Sequence, residues 1–269
     1  MLNIEKIEAI LFQENNNEPL RTLCLFRFFL CVTCVIFLAF EFNPIFYVKY
    51  ASIISPSAIT SLCFFNLAKT VGILFGILFA IGCDLLIIKL TFLIVFTCFN
   101  FYSYLITKNF NYNTHLIFFL LLITFSNCSY YFSFFKSKLN NATNYDKFCI
   151  GFAKLYIGFL YFQSFLSKVV NSGVHWFTSG DTIKTYLILK GTYIGKLFLS
   201  FPFLLKIISG FTGLFELSFI IVLLFTNKDK YIAILAIIFH VGIFLLMDIS
   251  FWFLWILFFP LFIYRTTKF

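Results

Sequence analysis

Long apolar stretches alternate with short polar ones along nearly the whole chain. They run at about 22–43, 60–82, 84–106, 115–135, 149–168, 203–225, 231–247 and 250–264. Each is near the ~20 residues a helix needs to cross ~30 Å of hydrocarbon. The pattern predicts an all-α fold, a polytopic transmembrane helical bundle of about eight spans, or seven if 231–264 forms one kinked segment. That last stretch is interrupted only by "MDIS" at Met247–Ser250, and "GCD" at Gly82–Asp84 predicts a tight turn between the second and third spans. Residues 1–20 read as an interfacial or disordered N-terminal lead, with Ile4, Ile7 and Leu11 on one face and Glu5 and Glu8 opposite. Residues 21–269 read as a single transmembrane domain with no soluble domain and no internal repeat.

Composition agrees with the pattern. The 269 residues are 61% hydrophobic and 12% charged, with 44 phenylalanines and a mean hydropathy of +0.97. An average soluble domain has about 45–50% apolar and about 25% charged residues. A water-soluble fold of this size leaves too much area exposed to hide that apolar surface, and a lipid bilayer removes the difficulty.

Charge changes the picture little. The net charge is +9, but the 20 Lys and Arg stand singly between apolar runs, without the basic stripe that nucleic acid requires. They read instead as a topology signal. With the N-terminus cytoplasmic, the inner side receives Lys89, Lys136, Lys138, Lys147, Lys228, Lys230, Arg265 and Lys268. The outer side receives Lys49 and Lys108 in short loops plus the long 169–202 segment, whose Lys184, Lys190 and Lys196 do not help the assignment. Residues 1–20 are acidic and Asn-rich, so no cleavable signal peptide is expected. The eight cysteines lie mostly in apolar runs, where a thiol behaves as a small hydrophobe. Cys31 and Cys34 have redox-motif spacing but lack an adjacent Gly, Pro or charge to activate them.

Ionisable groups at membrane depth are costly and tend to pair or to line a cavity. Arg27, Lys168, Glu216, His240 and Asp248 are the candidates. Arg27 and Lys168 are near span ends and can either snorkel to the interface or face inward. Tyr161, Gln163, Ser164 and Ser167 give the Lys168 helix a polar region, as a cavity face would. Glu216 is in mid-span after Ser209, Gly210, Thr212 and Gly213, small residues that admit a neighbouring helix. A carboxylate there must be protonated or paired. His240 is either a hydrogen-bonded core residue or a functional one, and Asp248 marks the break in the last apolar run. Three histidines without ligand spacing give no metal site.

Beyond Lys168 the chain reads "VVNSGVHWFTSGD", with His175, Trp176 and Asp181 close together. Trp176 is a natural headgroup-level anchor, and "TSGD" can turn the chain and cap a helix running from Thr182. Residues 169–181 are therefore expected to fold back on the bundle, with Trp176 buried at interface depth and Lys168 beneath it. Lys168, Glu216 and His240 are expected to share one internal site, with Tyr161, His175, Trp176, Asp181, Asp248 and Arg27 as substrate-binding candidates.

Three blocks of sequence resemble the HTTM family, the membrane domain found in vitamin K-dependent gamma-carboxylase and in many bacterial proteins. They are Tyr161-Phe162 with Lys168, Trp176 and Gly180; "TGLFELSF" around Glu216; and "FHVGIFLLMDISFW" around His240. "PLRTLCLFRFFL" near the start is similar to the family's opening helix, and the resemblance covers about residues 19–264. It implies that Lys168 matches the base that deprotonates vitamin K hydroquinone, with a quinol as the cofactor. The gap from Lys168 to Trp176 is longer than in the carboxylase, and no lumenal domain follows. Those departures shift the resemblance toward small members of the sporulation-delaying-protein type, which mature secreted peptide toxins.

Three functions are weighed. The first is maturation or presentation of a small secreted peptide precursor. The second is a quinol-dependent carboxylase- or oxygenase-like enzyme with a lysine base. The third is a non-catalytic membrane component, DoxX-like or a transporter subunit.

Overall fold

The structure, a computed structural model, describes residues 18–42, 58–107, 114–128 and 143–264. The expected helical lead around Ile4, Ile7 and Leu11 lies outside the described residues, as do Lys49, Lys108, Lys136, Lys138, Arg265 and Lys268.

Every regular element among the described residues is helical. In chain order they are α1 (Glu18–Ile36, continued by a π-helical turn Phe37–Glu41), α2 (Ala58–Ala80), α3 (Leu86–Thr107), α4 (Thr114–Thr124), α5 (Asn144–Ser172), α6 (His175–Ser179), α7 (Asp181–Lys190), α8 (Tyr193–Leu197), α9 (Pro202–Phe225), α10 (Asp229–Met247) and α11 (Trp252–Phe258, continued by Phe259–Ile263). Four segments are long and apolar enough to cross a membrane: Leu20–Glu41, Asn144–Ser172, Pro202–Phe225 and Asp229–Met247. Four further helices are apolar over shorter windows, Phe65–Ala80, Leu86–Phe101, Thr114–Thr124 and Trp252–Ile263.

Local chemistry explains where the elements differ from the sequence pattern. The apolar run expected to reach residue 135 is helical only to Thr124 among the described residues. There Ser126 turns back, its backbone N–H and its hydroxyl both donating to the Ile123 carbonyl. The next helix starts at Asn144 rather than 149, because Thr143 and Asp146 cap it reciprocally. The Asp146 N–H donates to Thr143 Oγ1 at 3.2 Å and the Thr143 N–H to Asp146 Oδ2 at 2.9 Å. Gly82 makes the expected turn in a left-handed conformation, φ 98°. The run 231–264 is two helices, since Asp248 ends α10 at φ 55°.

The chain divides into two compact units at Ile150–Gly151. In the first, α2 packs between α1 and α3, α3 packs on α4, and α4 packs on α1. Gly72 and Gly76, four apart on α2, permit the close approach. A Cβ on Gly76 would stand 2.5 Å from Val35 and 2.6 Å from Phe92. Gly76→Leu should therefore cost about 1–3 kcal/mol by overpacking, seen as a lower unfolding midpoint in detergent; an unchanged midpoint would refute that packing.

Among the described residues of this unit two cations, Arg27 and Lys89, are buried. Arg27, 0% exposed, donates to the Cys128 carbonyl. Lys89 lies in the first turn of α3 rather than in a loop; it donates to the Ser126 carbonyl at 2.9 Å and pairs with Asp84. Both ammonium and guanidinium thus sit at the C-terminal end of α4, where carbonyls lack intrahelical partners.

In the second unit α6, α7 and α10 pack on α9. A buried cluster of Ile183, Leu187 and Leu205 joins the short helices to α9. Lys154 pairs with Asp229 at 3.4 Å, linking α5 to the start of α10.

Candidate functional site

The polar residues of α5 are spaced so that Tyr161, Ser164 and Lys168 fall at i, i+3 and i+7, on one face of the helix. On α9, Ser209, Thr212 or Gly213, and Glu216 repeat the same spacing. These two faces meet. Lys168 Nζ lies 2.6 Å from Glu216 Oε1 and 2.8 Å from Oε2. Ser164 Oγ accepts from Lys168 at 2.7 Å and donates to Glu216 Oε1 at 2.9 Å, closing a triangle. The Lys168 side chain is 20% exposed and that of Glu216 7%. The carboxylate's need for a partner is met by the lysine, and a charge pair so deeply placed requires hydrogen bonds of this kind to offset its lost hydration.

The chain after Lys168 forms a cover over this pair. Gly173 at φ 59° ends α5, and Gly180 at φ 74° separates α6 from α7. Between them α6 lies against α9. The Ser209 hydroxyl donates to the Trp176 carbonyl, and Phe177 stacks on Phe165 at 5.4 Å. Phe177 also occupies the space over Gly213, where a Cβ would come within 2.3 Å of its ring. Lys168 Nζ then lies 5.1 Å from the Trp176 ring centroid, within cation–π range. Trp176 is half-buried rather than buried, because the α6 turn is short and only one side of it meets α9.

One turn along α5 a second polar pair is buried. Tyr161 Oη and His240 Nε2 are 2.6 Å apart, joining α5 to α10. Tyr161 stacks on Phe219 at 4.3 Å and meets Phe215 edge-on at 5.4 Å, the α9 residues flanking Glu216. His240 is ringed by Phe239, Phe251 and Trp255. Its Nδ1 and the Trp255 Nε1 are buried without a hydrogen-bond partner among the described residues. Tyr161→Phe leaves the His240 ring with no bond and is expected to cost about 1–3 kcal/mol; a thermal midpoint equal to wild type would show the pair to be incidental.

The remaining sequence candidates fall elsewhere. His175 and Asp181 face one another at 3.4 Å but are 74% and 66% exposed, at the surface rather than in the site. Asp181 is the first residue of α7 and not its cap. Gly180 takes the cap position, and the Asp181 N–H donates to Ser179 Oγ at 3.1 Å. Asp248 closes α10 through a backbone bond to the Phe244 carbonyl at 2.9 Å. Arg27 belongs to the other unit. Sequence reasoning missed the Tyr161–His240 bond and the seating of Phe177 on Gly213. The first has no local sequence signal, and the second shows only as a glycine one turn before Glu216. No group of three or more His, Cys, Asp or Glu residues that could hold a metal ion occurs among the described residues. No protein-family model, curated protein or solved structure matches this chain.

Proposed function

We propose that this is an eight-span integral membrane protein of the HTTM type, N-terminus cytoplasmic, that matures or presents a small secreted peptide, with Lys168 as its proton-accepting group. The observation that carries the reading is the Lys168–Glu216–Ser164 triangle under Trp176, built on helices apolar enough to cross a membrane. An isolated charged lysine in hydrocarbon is expensive, and an acidic partner in direct contact offsets that cost. A lysine and a carboxylate in direct contact can exchange one proton without solvent. With its proton passed to Glu216, Lys168 would offer an amine lone pair beside the cover formed by α6. A peptide arriving along the membrane surface would meet Trp176 first and the amine behind it.

A second reading, a quinol-dependent enzyme using the same lysine base, is favoured by the aromatic surround of His240 and its unpartnered Nδ1. Native mass spectrometry of the full chain extracted from membranes separates the two. The first reading expects a bound peptide whose mass shifts on protease treatment. A bound quinone with no peptide would transfer the site to the second reading. Neither species, in wild type and in Lys168→Ala alike, would leave the non-catalytic membrane component.

A further inference from the structure

The twenty-nine residues between α5 and α9 do more than connect them. Three apolar helices end at this level: α5 stops at Ser172, α9 begins at Pro202, and α10 stops at Met247. The short helices α7 and α8 are tied to two of those ends. Gly180 lies against the backbone of Leu205 and Lys206 at the start of α9, where a Cβ would stand 2.9 Å away. Thr192 ties the segment to the end of α10, its N–H donating to the Leu246 carbonyl at 3.0 Å and its hydroxyl to the Leu245 carbonyl at 2.6 Å. Gly195 sits directly on the Leu246 carbonyl.

One face of this layer is used for that attachment, through Ile183 and Leu187. The opposite face is apolar and open. Ile188, Leu189, Tyr193, Ile194 and Leu197 are 50–81% exposed. Lys184, Lys190, Lys196 and Lys206 are exposed around them, against the single acid Asp181. An apolar face rimmed by lysines at the level where membrane-crossing helices end has the make-up of a segment lying in the headgroup layer.

We propose that residues 181–206 form an interfacial platform that binds anionic phospholipid. Ile188, Leu189 and Tyr193 enter the acyl boundary, and Lys184, Lys190, Lys196 and Lys206 hold lipid phosphates. Two features select this occupant over a protein: the charge complementarity, and the continuity of the face with helices that themselves reach into lipid. The inference stands independently of any peptide or quinol chemistry at Lys168.

The test uses the full chain in nanodiscs of equal phosphatidylcholine and phosphatidylglycerol, released into native mass spectrometry to count retained lipids. Wild type should retain phosphatidylglycerol in excess. Lys184→Gln/Lys190→Gln/Lys196→Gln should lose that preference, by roughly fivefold per lysine, the value of one juxtamembrane charge at an anionic surface. Lys228→Gln/Lys230→Gln, just before and within the first turn of α10 at the opposite end of those helices, should keep it. All five lysines are exposed, so neither set of substitutions disturbs a buried contact. Equal phosphatidylglycerol retention in the triple variant would overturn the proposal. So would equal loss in the Lys228/Lys230 variant, or retention of an acidic peptide in place of lipid.

Discussion

Glu216→Gln should lower stability by about 3 kcal/mol, while the double variant Lys168→Met/Glu216→Gln should fall within about 1 kcal/mol of wild type. The single change removes the charge that faces Lys168 Nζ from 2.6 Å and leaves an ammonium with only neutral neighbours, the Ser164 oxygens, the glutamine amide oxygen and the Trp176 ring. The double change removes both charges and fills the lysine stem with an apolar side chain of similar length. Ser164 then keeps a partner in the glutamine amide. The single variant belongs at the lower end of the range for broken buried pairs, because the Lys168 side chain retains 20% exposure and so recovers some hydration. Denaturant unfolding in a defined detergent reads both. Additive losses in the double variant would mean that Lys168 and Glu216 act separately.

Gly180→Val is expected to be comparably severe, at about 3 kcal/mol. Its φ of 74° places a β-branched residue in the left-handed region, a conformation that costs about 1–2 kcal/mol. A Cβ there would also stand 2.9 Å from the Leu205 carbonyl carbon and the Lys206 nitrogen, backbone atoms that cannot swing aside, adding about 1–3 kcal/mol. The damage should be local. α6 and α7 are the elements that Gly180 docks on α9, so limited proteolysis should cut between residues 173 and 190 in the variant and not in wild type. Cleavage spread evenly along the chain would indicate global unfolding instead, and resistance equal to wild type would show that the cover does not depend on this turn.

The helical architecture was largely legible in the sequence, because hydrocarbon-facing helices need unbroken apolar runs and their breaks are chemically marked. Gly82 and the "MDIS" break are such marks, and both coincide with left-handed residues, Gly82 and Asp248. The ends were less legible where polar residues extend a helix. The Thr143–Asp146 cap adds five residues before the apolar part of α5, and Val169-Val170-Asn171-Ser172 continues that helix beyond its apolar run.

At the site, spacing alone placed Ser164 and Lys168 on one face, and the cost of a lone carboxylate in mid-span required a partner for Glu216. Lys168, Glu216 and His240 group into one site from the sequence, but which of them would touch was not readable from spacing. Packing supplies the contacts: Lys168 meets Glu216 directly, Arg27 is bound at the α4 terminus, and Gly213 admits Phe177 and so brings Trp176 over Lys168. His175 and Asp181 misled for the opposite reason. Their proximity in sequence to Trp176 does not carry them to its buried side, since α6 presents a single face to α9.

The most direct test of the central claim, that Lys168 accepts a proton rather than merely carrying a charge, is the mass of the peptide that co-purifies with wild type and with Lys168→Arg. Arginine keeps the charge, so the variant should insert and unfold like wild type, but its guanidinium does not give up its proton and cannot serve as a base. The account predicts processed peptide bound to wild type and the same peptide bound unprocessed to Lys168→Arg. Processed peptide on both would contradict it and return Lys168 to a structural ion pair with Glu216.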